Sequence, residues 1–218
     1  MMTTTSAPAS GSQCETIPMS PAASVQASGL QPLLITLADL PAGYGTAPSA
    51  IIGAVGQFNG AVPGTVPVAG ADFNDTGNPS SYHELANFGN GVDEMLGETT
   101  STESAVSLAA QLAAVDAQCH PGPTIDLPGP VPDAVARETS GTTSDTSYAY
   151  AITYVTKGPY VVQLTWGFVQ LLGATAVYAL PSPTSMAQEV DAALAHLPSR
   201  TDPWRNVPHR EVRDLPPG

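Results

Sequence analysis

The string DFNDTG at 72–77 is the part of the sequence whose residue types and spacing best suit a metal ion. Asp72, Asn74 and Thr76 stand at alternating positions, as do the oxygen ligands that open an EF-hand calcium loop. The twelfth position of that loop needs a glutamate, and here it is His83. The string is therefore a weak calcium candidate, and a plain Asn/Gly turn is the favoured interpretation.

The remaining residues capable of chemistry do not assemble into a recognisable motif. None of the four histidines stands in an HExxH pattern, and His196 falls in the last turn of a predicted helix, where it complements the helix dipole. The sequence has no GxSxG, P-loop or GxGxxG pattern, and its many serines lack an identifiable base. We predict no catalytic residues, no cofactor and no metal other than the calcium candidate.

An aromatic-rich hairpin offers the best candidate for ligand binding. Its predicted strands are Tyr148 to Val155 and Tyr160 to Trp166, dense in β-branched and aromatic residues. A three-residue loop, Thr156 to Gly158 with Gly158 left-handed, would put Tyr148, Tyr150 and Trp166 on one face. These three are the candidate ligand-binding residues, although such a stripe is also typical of a packed core. A one-residue slip would exchange the two faces.

Two predicted helices must position this hairpin. The first follows a capping box at Thr100–Glu103 and ends at Cys119, with apolar residues at three- and four-residue spacings. The second runs from Pro183 to Leu197, with Ser182 as its N-cap. The predicted fold class is α+β, a largely antiparallel sheet packed on one face by two helices. Residues 167–180 fit either a strand or a short helix.

The two cysteines, Cys14 and Cys119, are too far apart in sequence for a CxxC pair and too few for a thiolate zinc site. A single long-range disulfide is the favoured hypothesis, and two unrelated buried thiols are the alternative. The N-terminus has neither a signal peptide's apolar region nor a lipobox before Cys14, so we expect any export signal to be absent from the chain as given.

Charge excludes several kinds of partner. The chain has 6 basic and 19 acidic residues and a net charge of −13, and four of the bases lie beyond residue 199. So few bases do not favour nucleic-acid or anionic-membrane partners, and no apolar stretch is long enough to span a bilayer. Composition divides the chain into a Ser/Thr/Ala/Pro-rich linker (1–30), one domain (31–199) and a Pro/Arg-rich tail (200–218).

Four segments, LLITLADLPAGYG, SAVSLAAQLAAVDAQC, YAYAITYVTKGPYVVQLTW and MAQEVDAALAHL, carry a family resemblance through their order. This order resembles the exported sensor-like domains of actinobacterial lipoproteins and of the extracellular part of certain transmembrane serine/threonine kinases. The resemblance implies an extracytoplasmic domain of the cell envelope that binds a small or lipidic ligand, or an envelope protein, without catalysis. The rival hypotheses are a secreted hydrolase with an unrecognised active site and a purely structural envelope module.

Overall fold

A computed structural model describes residues 29–46, 68–75, 82–83, 86–87, 89–119, 121–129, 131–173 and 178–198. The predicted linker, up to residue 28, and the predicted tail lie outside these ranges. The described parts hold nine strands, two α-helices and two short 3-10 turns, at Gln31–Leu33 and Leu37–Asp39. They give the α+β class expected from the sequence.

The strands, in chain order, have the following bounds: β1 Tyr44–Thr46, β2 Val68–Asp75, β3 Tyr82–His83, β4 Ala86–Asn87, β5 Gly89–Glu98, β6 Thr124–Asp126, β7 Val135–Thr142, β8 Thr146–Lys157 and β9 Tyr160–Leu171. Seven of them form one sheet in the order β1-β2-β5-β9-β8-β7-β6, and every neighbouring pair is antiparallel. The short strands β3 and β4 pair only with each other. The predicted antiparallel sheet is thus confirmed.

Helix α1 spans Thr102–Cys119 and helix α2 spans Pro183–His196. In α1 the cap lies one residue later than predicted, because the Ser101 hydroxyl accepts from the Ser104 N–H at 3.1 Å. In α2 the cap is as predicted, since Ser182 accepts from the Ser185 N–H and Pro183 opens the helix. Residues 167–180, undecided from sequence, divide into the end of β9 and, at 178–180, chain without regular structure.

The two helices contact opposite faces of the sheet, where the sequence predicted a shared face. Helix α1 packs on Met95 and Val161, with Tyr154 beside them. Helix α2 packs on the face that carries Leu164 and Trp166. Successive side chains of a strand point to opposite faces, so residues 161 and 164 of β9 belong to different sides. The central strands are therefore buried on both sides.

The turn between β8 and β9 explains this difference. It has two residues, Gly158 and Pro159, because Lys157 pairs with Tyr160. Gly158 has φ 58°, as predicted, but it is the first turn position, and Pro159 fixes a negative φ at the second, which fits a type II′ turn. The Pro159 carbonyl also accepts from the Thr99 N–H at 2.8 Å. The pairing is thus shifted from the predicted register.

The segment before β1 is fastened to the α2 side of the sheet. Leu34 and Ile35 are buried in the main core, and the Ile35 N–H donates to a carboxylate oxygen of Glu94 at 2.6 Å. One turn later Asp39 lies 3.1 Å from Nε2 of His196, the last residue of α2. This segment therefore covers β5 and touches the end of α2.

Candidate functional site

The α2 side of the sheet holds a cavity of about 630 Å³ next to the end of the β8–β9 hairpin that is distant from the turn. We call it the hairpin cavity. It is lined by Ile125, Glu138, Ser140, Gly141, Thr142, Ser147, Tyr148, Ala149, Phe168, Tyr178, Ala179, Leu180 and Pro181. These residues come from β6, β7, β8, β9 and the segment before α2, so the sheet and the chain after β9 build the site together.

Tyr148 is placed in this wall by its partner across the β7–β8 ladder. It pairs with Gly141, and a Cβ atom on that glycine would lie 2.5 Å from the Tyr148 hydroxyl oxygen. Any larger residue at 141 would displace the ring. The ring of Tyr148 also stacks on that of Tyr150, with centroids 6.4 Å apart and planes at 12°. Because alternate residues of a strand share a face, the stacked rings of Tyr148 and Tyr150 lie on the α1 side, so Tyr148 borders the hairpin cavity while its ring is on the opposite side from most of the lining.

The polar residues of the cavity wall are Glu138, Ser140, Thr142 and Ser147, together with the two tyrosines. The Ser147 hydroxyl oxygen is buried and has no hydrogen-bond partner among the described residues. Glu138 is the one charged residue in the described lining, and within the described chain its carboxylate has no ion-pair partner. Because the Ser147 oxygen has almost no accessible surface, a ligand in the cavity does not reach it in this conformation. The cavity thus combines aromatic and aliphatic residues with one acceptor carboxylate.

The structure does not bring the three predicted ligand-binding residues together. Tyr148 lines the hairpin cavity. Tyr150 lies two residues further along the same strand and faces α1, as does the ring of Tyr148 that stacks on it, and burial raises the pKa of Tyr150 to about 12. Trp166 is 0% exposed on the opposite, α2, side, where its indole N–H donates to Glu189. The two-residue turn is the reason, because it pairs Trp166 with Ala151 instead of grouping it with the tyrosines.

The calcium candidate falls largely on a strand. Asp72 and Asn74 belong to β2, where they pair with Asp93 and Gly91 of β5. Thr76 lies outside the described residues. A strand that pairs continuously across 68–74 does not fold back on itself as a calcium loop does. Among the described residues, no group of three or more His, Cys, Asp or Glu side chains is arranged to hold a metal ion.

The predicted disulfide involves one described residue. Cys119 is the last residue of α1 and is half-buried, and the described chain contains no free cysteine. Cys14 lies outside the described ranges, so its pairing with Cys119 stays a prediction. The neighbouring buried position of α1 is Asp116, 4% exposed, where the sequence pattern expected the apolar stripe to continue through Val115.

A second, smaller cavity of about 280 Å³ lies between α1 and strands β6 to β8. Asp116 and Arg137 both line it, and the Arg137 Nε lies 4.0 Å from an Asp116 carboxylate oxygen. Arg137 also donates to the Gly122 carbonyl at 3.0 Å. Because these two charges already interact with each other, this cavity presents less unused hydrogen-bonding capacity than the hairpin cavity.

Two buried carboxylates lie elsewhere on the α2 side. Burial raises the pKa of Glu94 to about 7, although the Ile35 N–H opposes this effect and nearby Asp39 adds to it. Burial also raises the pKa of Glu189, against the opposing hydrogen bonds from Trp166 and Ser185. Asp39 behaves differently, because hydrogen bonds from Thr36 and His196 outweigh its desolvation and lower its pKa. Glu94 and Glu189 do not line the hairpin cavity, so we relate their raised pKa values to the stability of the fold and not to ligand binding.

Sequence reasoning missed most of the hairpin cavity. Glu138 lies on β7, whose polar sequence gave no strand signal, and Tyr178 lies within 167–180, the segment left undecided between a strand and a short helix. Ser147 and Phe168 lie just outside the predicted strand ends, and extending the hairpin by two residues would have included both. The sequence did carry one signal, Gly141, since a glycine inside a strand often marks a close approach, here to the side chain of Tyr148.

No family model matches this sequence, and no curated protein matches it. Within the described ranges, no helix is long and apolar enough to cross a membrane. Because a fold by itself does not specify a function, the functional conclusion has to come from the chemistry of the hairpin cavity.

Proposed function

We propose that the chain is an exported, non-catalytic, sensor-like domain of the cell envelope that binds a small ligand in the hairpin cavity. The observation that carries this proposal is the cavity of about 630 Å³, since pockets for small molecules typically have about 300–1,000 Å³. Its lining is mainly apolar, with a few polar groups, as such pockets usually are.

Export is supported by the predicted Cys14–Cys119 disulfide, because such bonds persist mainly in oxidising compartments. The family resemblance and the Pro/Gly/Ala/Thr-rich linker agree with an envelope location. The apolar wall favours a ligand with an aromatic or alkyl body over a fully polar one such as a sugar. Small amphiphiles fit this description.

The test is to screen the full chain for ligands by thermal shift and native mass spectrometry. The panel consists of phenylalkyl and alkyl alcohols, amines and carboxylates. We expect at least one class to raise the melting temperature and to appear as a bound mass. The variant Ser140→Trp, at an exposed wall position, should fill the cavity and remove binding.

The matched control is Ala110→Trp, an exposed position on α1, on the other side of the sheet. It adds the same indole but should leave binding intact. Binding that survives Ser140→Trp unchanged would contradict the hairpin cavity as the site. Turnover of an ester or peptide panel by the purified chain would favour the rival hydrolase, and absence of both binding and turnover would favour a structural module.

A further inference from the structure

We infer that the hairpin cavity selects organic cations, specifically a primary or substituted ammonium group carried on an aromatic or alkyl body. This inference rests on the proposed ligand-binding function and goes further by assigning the charge of the ligand. It stands on three observations about the described lining, which concern its carboxylate, its rings and its lack of bases.

The carboxylate is Glu138. It lies on β7 directly after Arg137, and successive residues of a strand face opposite sides of the sheet. Arg137 consequently reaches toward Asp116 on the α1 side, while Glu138 lines the hairpin cavity on the other. The sheet thus separates this carboxylate from the Arg137 guanidinium. Without an ion-pair partner in the described chain, Glu138 is available to accept hydrogen bonds from an ammonium group.

The rings are those of Phe168 and Tyr178, both in the cavity wall. A cation over the face of an aromatic ring is attracted by the ring's negative potential, and this attraction is stronger where water is excluded. A carboxylate and aromatic faces together provide what an alkylammonium group needs when it leaves water.

The absence of basic residues from the described lining also favours a cationic ligand. No lysine, arginine or histidine belongs to the described lining, and the whole chain has a net charge of −13. A potential of this sign concentrates cations near the protein and disfavours anions. An anionic amphiphile would meet Glu138 without a compensating charge, so a fatty acid or an anionic lipid headgroup is disfavoured.

The experiment compares three probes of similar shape and different charge, 4-phenylbutylamine, 4-phenylbutanol and 4-phenylbutanoate, by isothermal titration calorimetry on the full chain. We expect the amine to bind at least about tenfold more tightly than the alcohol, since a charge-assisted hydrogen bond contributes that much. The carboxylate should bind more weakly than either. High salt should reduce the tighter binding of the amine only in proportion to the solvent exposure of Glu138, because salt screens exposed charges much more than buried ones.

The decisive variant is Glu138→Gln, which keeps the shape of the side chain and removes its charge. It should abolish the preference for the amine while leaving the affinity for the alcohol unchanged. The control is Asp126→Asn, which removes an exposed charge from neighbouring β6 and should leave the preference intact. If both variants lose the preference for the amine, direct pairing with Glu138 is wrong. The preference then comes from the overall negative potential of the protein.

Other outcomes separate this inference from the proposed function. If the alcohol binds as tightly as the amine and Glu138→Gln changes neither, cation selection is wrong while ligand binding stands. If the carboxylate binds best, cation selection is likewise wrong. If no compound of the wider panel binds, the proposed function itself fails.

Discussion

Replacing the buried carboxylate Glu94 by glutamine should make the protein more stable at alkaline pH. Glu94 is 0% exposed, and its pKa is raised from 4.5 to about 7. One carboxylate oxygen accepts from the Ile35 N–H, and the other is buried with no hydrogen-bond partner among the described residues. Ionisation therefore places a charge where only one donor compensates for the lost water.

The sign and size follow from proton linkage. Between pH 4.5 and about 7 the folded state retains a proton that the unfolded state has lost, so stability falls as pH rises and levels off above pH 7. Each tenfold change in proton affinity corresponds to about 1.4 kcal/mol, so the full loss is about 3 kcal/mol. About 2 kcal/mol of it falls between roughly pH 5.5 and pH 8.5.

The assay is urea unfolding of the wild type and of Glu94→Gln, followed by circular dichroism at about pH 5.5 and 8.5. These values avoid the isoelectric point near 4.3, where low net charge promotes association. The glutamine variant should gain about 2 kcal/mol relative to the wild type between the two conditions. Comparing the two chains cancels the contributions of other titrating groups, Glu189 included.

The control is Glu98→Gln, a half-buried carboxylate four residues further along β5. Its effect on the free energy of unfolding should vary by less than about 0.5 kcal/mol over the same interval. A difference between Glu94→Gln and wild type that does not change with pH would refute the reasoning. It would mean that water or a local rearrangement solvates the Glu94 carboxylate in the folded state.

Three further changes should have measurable effects. Lys157→Met should lower the free energy of unfolding in urea by about 1–3 kcal/mol, because the ammonium donates to two carbonyls at the end of α2, at 2.6 and 2.9 Å; an unchanged value would mean that water replaces it. Gly141→Ala should cost about 1–3 kcal/mol by displacing the Tyr148 ring, and the same substitution made in a Tyr148→Ala background should cost much less in the same assay. If Cys14 and Cys119 are bridged, alkylation without reductant should add no mass, and reduction should cost up to about 4–5 kcal/mol; two alkylated thiols would exclude the bridge.

Local signals predicted much of the fold. Ser182 and Pro183 specified the start of α2, because an N-cap and a helix-opening proline act on residues next to them in sequence. Gly158 was correctly expected to have a positive φ. The register depended on one further residue, since Pro159 occupies the turn instead of the strand. That single position decides which side of β9 faces which helix, and local propensity does not determine it.

The candidate site was less predictable because it depends on pairing across strands. Tyr148 could be named from its aromatic type, and it does line the hairpin cavity. Glu138 could not, since its place there follows from the β7–β8 pairing and from the sheet separating it from Arg137. Trp166 had the right type for a binding residue, but the shifted register directs it into the core.

The contact between Lys157 and the end of α2 has a practical consequence. The chain contains a single lysine, so amine-directed reagents find one side-chain target, and that target is engaged by two helix carbonyls. Acylation of Lys157 requires its ammonium to leave those carbonyls and lose a proton. Its labelling rate, followed by mass spectrometry, therefore reports how often α2 detaches at its end, and surface immobilisation should use a terminal tag instead of amine coupling.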